Sequence, residues 1–162
     1  MLGEMDAARE TVDDLTRRTE QLFLRHADAT IITSMPGLGN ATGARILAEI
    51  GDDPDRFSNA SSLEAYSGAA PVTRASGKSH AVIACRVKNN RLAAAGYVWA
   101  FSALTASPGA RAHYDRRKKR GDTHTAAQRN LYNRLLGCLH YRLQNRVPYS
   151  EEAAFPTTSQ TT

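Results

Sequence analysis

The chain has 162 residues, 41% of them hydrophobic, so it can bury the core of one ordinary domain without cross-links. Its two cysteines, Cys85 and Cys138, lie far apart without paired spacing, which argues against a disulfide framework or a zinc knuckle and favours reduced thiols in the cytoplasm. No basic segment precedes an apolar run, and no apolar stretch is long enough to cross a bilayer, so we expect neither secretion nor a membrane partner.

The net charge of +5 is unevenly distributed along the chain. Residues 1–70 carry six basic and twelve acidic side chains, whereas residues 71–150 carry fifteen basic and two acidic ones. Because such a concentration of positive charge repels itself in a folded chain, it favours a polyanionic partner, and nucleic acid is the first expectation. A basic, solvated surface without a partner is the alternative.

The first predicted element is a helix over about residues 7–26. Its apolar seam steps by alternating three and four residues through Val12, Leu15, Thr19 and Leu22. A seam this narrow favours pairing with another helix, so we expect a homo-oligomer through residues 1–28; a singly packed helix is the alternative.

Residues 31–50 predict two helices joined by a tight bend at Met35–Gly39. Gly37 and Gly39 permit positive φ and would leave N–H groups uncovered at the start of the second helix, where a phosphate can bind. The second helix is predicted to pack through Ala44, Leu47 and Ala48. The pattern resembles the helix-hairpin-helix motif, which grips the DNA backbone without reading bases; an ordinary turn between two helices is the alternative.

The later half also predicts helices, separated by one turn-rich connection. Ser61–Glu64 has the pattern of a capping box opening a short helix, and residues 67–80 predict a loop or short strand. A long helix is expected from about His80, with one side formed by Ile83, Val87, Ala94, Val98 and Phe101. Ser107-Pro108 predicts the start of a helix that ends at Gly121.

A final helix is expected from about Thr125. Its predicted core positions are Leu131, Tyr132, Leu135, Leu136, Leu139 and Leu143. Residues 151–162 are polar at their end, and we expect a disordered tail. The fold class is therefore mostly α, with an extended first helix, a helix-hairpin-helix module and a bundle of basic helices.

A series of short segments recurs in a characteristic order along the chain. The segments are Met35–Gly39, Ile46–Asp52, Arg56–Phe57, Leu63, Ala65–Gly68, Ala70–Pro71, Ser76–Ser79, Ala110–Arg116, Asn133–Leu136 and Pro148–Tyr149. Together they resemble the C-terminal transposase domain of insertion-sequence transposases of the IS110, IS116 and IS902 group. The resemblance covers about Ile31 to Phe155, within a domain assigned to residues 29–150. Their number and order, rather than any single segment, make the resemblance specific.

The resemblance implies DNA strand cleavage and transfer by a serine nucleophile. It assigns that nucleophile to Ser76, with Ser79 and Ser67 as rivals. A serine hydroxyl needs activation, and attack on a phosphodiester builds charge that nearby cations must stabilise. In the family a separate RNase-H-like domain supplies metal-binding carboxylates, and some members use a guide RNA.

This chain is expected to hold no metal or cofactor itself. Its five histidines lack metal-ligand spacing, and the acids before Ile31 share one helix and converge on no site. Magnesium is expected in the missing carboxylate domain. We therefore interpret the chain as a truncated transposase, catalytically incomplete alone.

Duplex DNA is the expected partner. The predicted contacts are Gly37, Gly39, Arg74, Lys78, Arg86, Lys88, Arg91, Arg116, Arg117, Lys118, Lys119 and Arg120. A non-catalytic helix-hairpin-helix binder and an RNA-binding role for Arg116–Arg120 are the alternatives. The sequence Val87–Asn90 departs from the Lys-Arg-Gly-Asn run of the family because it loses the glycine.

Overall fold

A computed structural model describes the backbone of residues 1–76, 79–84 and 88–156, together with their side chains except those of Leu2, 71–76 and 79–84. The elements in this part of the chain are α1 (Leu2–Leu24), α2 (Ala29–Ser34), α3 (Asn40–Ile50), α4 (Ala60–Ser67), β1 (Pro71–Ser76), β2 (Ser79–Ala84), α5 (Asn90–Ala106), α6 (Pro108–Lys119), α7 (His124–Asn145) and α8 (Glu151–Ala154). The predicted mostly α fold is confirmed. Among these helices, none has the length and apolarity that a membrane span requires.

The helix α7 lies at the centre of the core and contacts α2, α4, α5, α6 and α8. Its side chains Leu131, Leu135, Leu136 and Leu139 are fully buried, as their spacing predicts. Burying one such leucine contributes about 1.5–3 kcal/mol relative to leaving it in water. These positions therefore hold the bundle together, whereas Leu143 is only partly buried.

The helix predicted from His80 begins instead at Asn90, so that prediction is wrong. Residues 79–84 form β2, which pairs antiparallel with β1. Val82 and Ile83 are β-branched and favour a strand. The helix starts later because the side chain of Asn89 accepts hydrogen bonds from the N–H groups of Arg91 and Leu92, both at 2.9 Å.

The predicted core face of α5 is also wrong. Ala94 is exposed, and Val98 and Phe101 are 53% and 60% exposed. The buried face consists of Leu92, Ala95, Gly96, Trp99, Ala100 and Ala103. Trp99 has the largest apolar side chain of the helix, and the small residues beside it let neighbouring elements approach closely, so this face turns inward.

The packing face of α3 is shifted in a similar way. Ala44 is buried as predicted, but Leu47 is only partly buried and Ala48 is exposed. Ile46 and Ile50 take the core positions because their longer side chains bury more apolar area than alanine.

The start of α4 differs from the prediction of a capping box at Ser61. Asn59 is the N-cap, and its Oδ1 accepts a hydrogen bond of 2.9 Å from the N–H of Ser62. The helix therefore begins at Ala60. By contrast, the predicted cap at Ser107 is confirmed, since its Oγ accepts from the N–H of Ala110 at 2.9 Å.

Part of the predicted disordered tail is ordered. Residues 151–154 form α8, and Ala154 is buried. The carboxylate of Glu151 accepts hydrogen bonds from Ser107 Oγ at 2.6 Å and from the N–H of Gly109 at 2.7 Å. These bonds attach the segment to the start of α6; residues 157–162 lie outside the described part of the chain.

The first helix is longer than predicted, extending from Leu2 to Leu24. Phe23 is buried near its end, and the seam residues Val12, Leu15 and Leu22 are exposed. Although α1 contacts α3 and α2, more than half of the surface of each of these three side chains is left uncovered by the rest of the described chain.

Candidate nucleic-acid interface

The bend between α2 and α3 packs tightly against α5. Gly37 has a φ of +76°, and a Cβ added to it would lie 2.5 Å from the backbone nitrogen of Ala103. The indole nitrogen of Trp99 donates a hydrogen bond of 2.9 Å to the carbonyl of Pro36. Gly37 is thus needed for a close contact between the bend and a helix.

The second glycine of the bend has a different environment. Gly39 has a φ of −82° and is the N-cap of α3, with no side chain capping the helix. Gly39, Asn40 and Ala41 are exposed, and a Cβ on Gly39 would meet nothing within 4 Å. Open N–H groups at the positive end of a helix dipole can bind a phosphate. Of the two glycines that permit positive φ, only Gly37 adopts it.

Ser76 lies at the end of the two-stranded sheet. It is the last residue of β1, and the register pairs it with Ser79, the first residue of β2. Before the hairpin, the N–H groups of Ala69 and Ala70 both donate to the carbonyl of Glu64, at 3.0 and 3.2 Å. These bonds connect the start of the hairpin to α4.

Several predicted DNA contacts and candidate nucleophiles fall on or beside this hairpin. The side chains of Arg74, Ser76 and Ser79, and the whole of Lys78 and Arg86, lie outside the described residues. Lys88 follows the hairpin and is half-buried, and a Cβ on Gly68 would lie 2.2 Å from Lys88 Cδ. Its stem therefore crosses the end of α4, while Arg91 on the first turn of α5 is exposed.

Ser67 differs from the other two candidate nucleophiles because it is buried, with 0% exposure. Its Oγ donates to the carbonyl of Glu64 at 2.9 Å and accepts from the N–H of Ala69 at 3.2 Å. Both hydrogen-bonding roles of the hydroxyl are thus used in forming the end of α4, and the group is out of reach of a DNA strand.

Asn89 organises a polar network that the sequence did not reveal. Its Nδ2 donates to Glu49 Oε2 and to Tyr66 Oη, both at 2.8 Å, and its backbone N–H donates to the carbonyl of Tyr66 at 2.8 Å. Arg56 donates to Tyr66 Oη at 3.2 Å and to the carbonyl of Ile50 at 2.6 Å. The network joins α3, α4 and α5 around the ends of the hairpin. The one signal in the sequence is that Asn89, a residue type that favours helix N-caps, stands directly before α5.

The basic run Arg116–Arg120 ends α6, where cations interact favourably with the helix dipole. Arg117 pairs with Asp122 at 2.6 Å, and Lys118 Nζ donates to the carbonyl of Asp122 at 2.9 Å. Arg116, Lys119 and Arg120 are exposed and form no ion pair within the described residues. Lys118 is likewise exposed and outside any ion pair of the described residues, so four cations of the run can meet a phosphate chain.

The expectation that this chain holds no metal itself stays a prediction. In residues 1–76, 79–84 and 88–156, no three His, Cys, Asp or Glu side chains come together as a set of ligands. We assign no step of the chemistry to a metal held by these residues.

Known proteins resemble this chain along most of its length. It is 55% identical over 155 residues to a protein named as a candidate mini-circle transposase for IS117 in Streptomyces coelicolor, covering 96% of this chain and 37% of that protein. It is 34% identical over 150 residues to an uncharacterized 43.6 kDa protein of insertion element IS110 in Streptomyces coelicolor, covering 92% and 37%. An uncharacterized 42 kDa protein of insertion element IS900 in Mycobacterium paratuberculosis is 36% identical over 147 residues, covering 90% and 37%.

The chain thus spans 37% of the length of these curated relatives. A family model for the Transposase IS116/IS110/IS902 family matches residues 29–115, which include α2 to α5, the hairpin and most of α6. With this match and these identities, the chain belongs to the Transposase IS116/IS110/IS902 family.

Proposed function

We propose that this chain binds duplex DNA and supplies the serine nucleophile for strand cleavage and transfer in insertion-sequence transposition. Membership of the transposase family supports a role in transposition. The observation that carries the finer proposal is the place of Ser76 at the end of the hairpin, where it is paired with Ser79. A nucleophile in that position can reach a strand bound outside the helical bundle.

Burial distinguishes the candidate serines. Ser67 is in the core, so we assign the nucleophile to Ser76 and keep Ser79 as its rival. In the proposed step, Ser76 Oγ forms a bond to phosphorus while the bond to a deoxyribose oxygen breaks. The serine proton ends on the released deoxyribose hydroxyl, so one phosphodiester replaces another. Neighbouring cations would stabilise the charge on the non-bridging oxygens.

The DNA backbone is proposed to bind at two kinds of group. The open N-terminus of α3 at Gly39 offers N–H donors, as a helix-hairpin-helix motif would, and Gly37 fixes the bend that presents them. Exposed cations on α5, on α6 and just after α6 add charge; they are Arg91, Arg116, Lys118, Lys119 and Arg120. Contacts of this kind hold a duplex without reading its bases.

Other partners follow from the resemblance and from α1. We propose that magnesium-binding carboxylates come from a separate RNase-H-like domain, as the resemblance implies. The exposed seam of α1 supports a homo-oligomer through that helix, because exposed apolar side chains at coiled-coil spacing favour a second helix. A guide RNA is a further partner that the resemblance implies.

The nucleophile is tested by trapping a covalent adduct. The chain would be combined with the RNase-H-like domain of a family member, Mg²⁺ and end-labelled duplex DNA, and separated on a denaturing gel. We expect a labelled protein band that Ser76→Ala abolishes and Ser79→Ala retains. Loss of the band only in Ser79→Ala would transfer the role to Ser79. DNA binding without an adduct under these conditions would favour the non-catalytic binder.

A further inference from the structure

A groove of about 560 Å³ lies between α4, α6, α7 and α8. Glu64 lines it from α4, His113 from α6, and a stripe of α7 that includes Asn133, Arg134 and Arg142 forms one long wall. Its volume lies in the ~300–1,000 Å³ range of small-ligand sites. The proposed transposition chemistry uses none of these side chains.

The inner part of the groove presents hydrogen-bond acceptors. Asn133 Oδ1 is buried and has no hydrogen-bond partner among the described residues. Burial raises the pKa of the nearby Glu64 carboxyl, and this outweighs the hydrogen bond from Asn133 and the charge of His140, which both lower the pKa. A Cβ on Gly137 would lie 3.2 Å from Glu64 Oε1, so the glycine leaves room for the carboxylate beside α7. Because the Glu64 carboxylate lines the groove and accepts hydrogen bonds, this part of the groove suits a ligand that brings N–H groups.

The rim of the groove is cationic and aromatic. Arg134 donates to the carbonyl of Ala154 at 3.0 and 2.6 Å, which places its charge beside α8. Arg142 lies 5.4 Å from the centroid of the Tyr141 ring, and that ring is 57% exposed. The rim therefore favours an anionic group and offers a surface on which a base can stack.

We propose that this groove binds one unpaired guanine nucleotide. The acceptor at the inner end of the groove calls for a ligand with hydrogen-bond donors, and the cationic rim calls for a negative charge. A nucleotide whose base carries an amino group has both. The Watson–Crick edge of guanine places N1–H and the N2 amino group side by side, so both can donate to a carboxylate. Adenine and cytosine have one amino group next to an acceptor nitrogen, which would face the carboxylate of Glu64. A cationic peptide would meet the repulsion of Arg134 and Arg142.

The partner class rests on the proposed nucleic-acid binding, but the groove can be tested without duplex DNA. We would titrate the ¹⁵N-labelled chain with guanosine monophosphate and follow the amide signals of Asn133 and Gly137 by NMR. Inosine monophosphate, which lacks the N2 amino group, should bind at least about tenfold more weakly, because a lost donor leaves an acceptor unpaired. Equal binding of the two nucleotides, or signals that move elsewhere on the chain, would overturn the proposal.

Glu64→Gln provides the matched variant, since it keeps the size of the side chain and removes one of two acceptor oxygens. We expect it to lose about tenfold in affinity for guanosine monophosphate. Glu152→Gln makes the same chemical change on an exposed residue of α8 outside the groove and should leave the affinity unchanged. The NMR spectrum of each variant shows whether it is folded. A folded Glu64→Gln variant with unchanged affinity would refute the site.

Two further measurements separate this proposal from the proposed function and from a peptide site. Binding of duplex DNA would be measured by fluorescence anisotropy at low salt. If the chain binds duplex DNA but not guanosine monophosphate, the proposed function stands and the nucleotide site is refuted. If it binds guanosine monophosphate but not duplex DNA, the nucleotide site stands and the proposed DNA binding is refuted. Movement of the groove signals with N-acetylarginine amide, and not with the nucleotide, would overturn the proposal in favour of a peptide.

Discussion

The indole N–H of Trp99 donates a hydrogen bond of 2.9 Å to the carbonyl of Pro36, which joins the middle of α5 to the bend between α2 and α3. The same indole packs edge-on against Tyr132 of α7, with ring centroids 6.1 Å apart. The bend is thus held by the core of the bundle. Because α3 begins at the end of this bend, the direction of its open N-terminus depends on Trp99.

Replacing Trp99 by Phe should therefore destabilise the chain. The change removes the donor to Pro36 and also shrinks a fully buried side chain, so it should cost at least about 1–3 kcal/mol in the free energy of unfolding. Denaturation by urea measures it. Phe101→Leu on the exposed face of the same helix should change stability by less than about 0.5 kcal/mol. Equal effects of the two changes would show that the hydrogen bond contributes nothing.

The close contact at Gly37 predicts a second, larger loss. Gly37→Ala combines positive φ with a Cβ 2.5 Å from the backbone of Ala103, so the bend would have to move away from α5. Gly121 also has positive φ, +95°, but nothing lies within 4 Å of its added Cβ. Gly121→Ala should cost only the backbone strain of about 1–2 kcal/mol, and Gly37→Ala distinctly more. Urea denaturation of both variants gives the comparison, and similar losses would refute the contact.

The bend and the central helix could be predicted from sequence, whereas the start of α5 could not. Glycines beside a proline, and leucines at helical spacing, are local signals that tertiary packing reinforces. Residues 79–84 form a strand only because β1 pairs with them. Their apolar spacing also fits a helix, so the sequence does not reveal the pairing. Likewise, the exposed face of α5 carries Val98 and Phe101, whose apolar character alone predicts burial. The network around Asn89 joins residues far apart in sequence, so only the folded chain brings it together.

The attachment of α8 predicts a pH dependence. Burial alone would raise the pKa of Glu151, but hydrogen bonds from Ser107, Tyr149 and Gly109 outweigh it, and the pKa lies below its ordinary value of 4.5. A carboxyl whose folded pKa is depressed stabilises the fold above its unfolded pKa, and loses that effect as the pH falls through the folded value.

Glu151→Gln should therefore reduce the free energy of unfolding most at neutral pH. The difference from the unmodified chain should shrink as the pH falls below 4.5, where the unfolded carboxyl gains its proton first. Urea denaturation from pH 7 to pH 3 follows the change. Glu152→Gln on the exposed side of the same short helix serves as the control and should show no such trend. A difference that stays constant with pH would show that the charge of Glu151 is irrelevant.

The two kinds of cation in the Arg116–Arg120 run predict different effects on DNA binding. Lys119 is exposed and forms no ion pair among the described residues, whereas Arg117 is held by Asp122 at 2.6 Å. If Lys119 contacts a phosphate, Lys119→Ala should lower duplex affinity equally for all sequences and reduce the slope of log affinity against log salt by about 1. Arg117→Ala should leave that slope nearly unchanged, because its charge is already neutralised, and cost at most about 1 kcal/mol of stability. Anisotropy titrations across a range of salt concentrations measure both slopes. A larger change for Arg117 than for Lys119 would mean that the pair with Asp122 opens when DNA binds, and that exposure in the free chain does not identify the phosphate contacts.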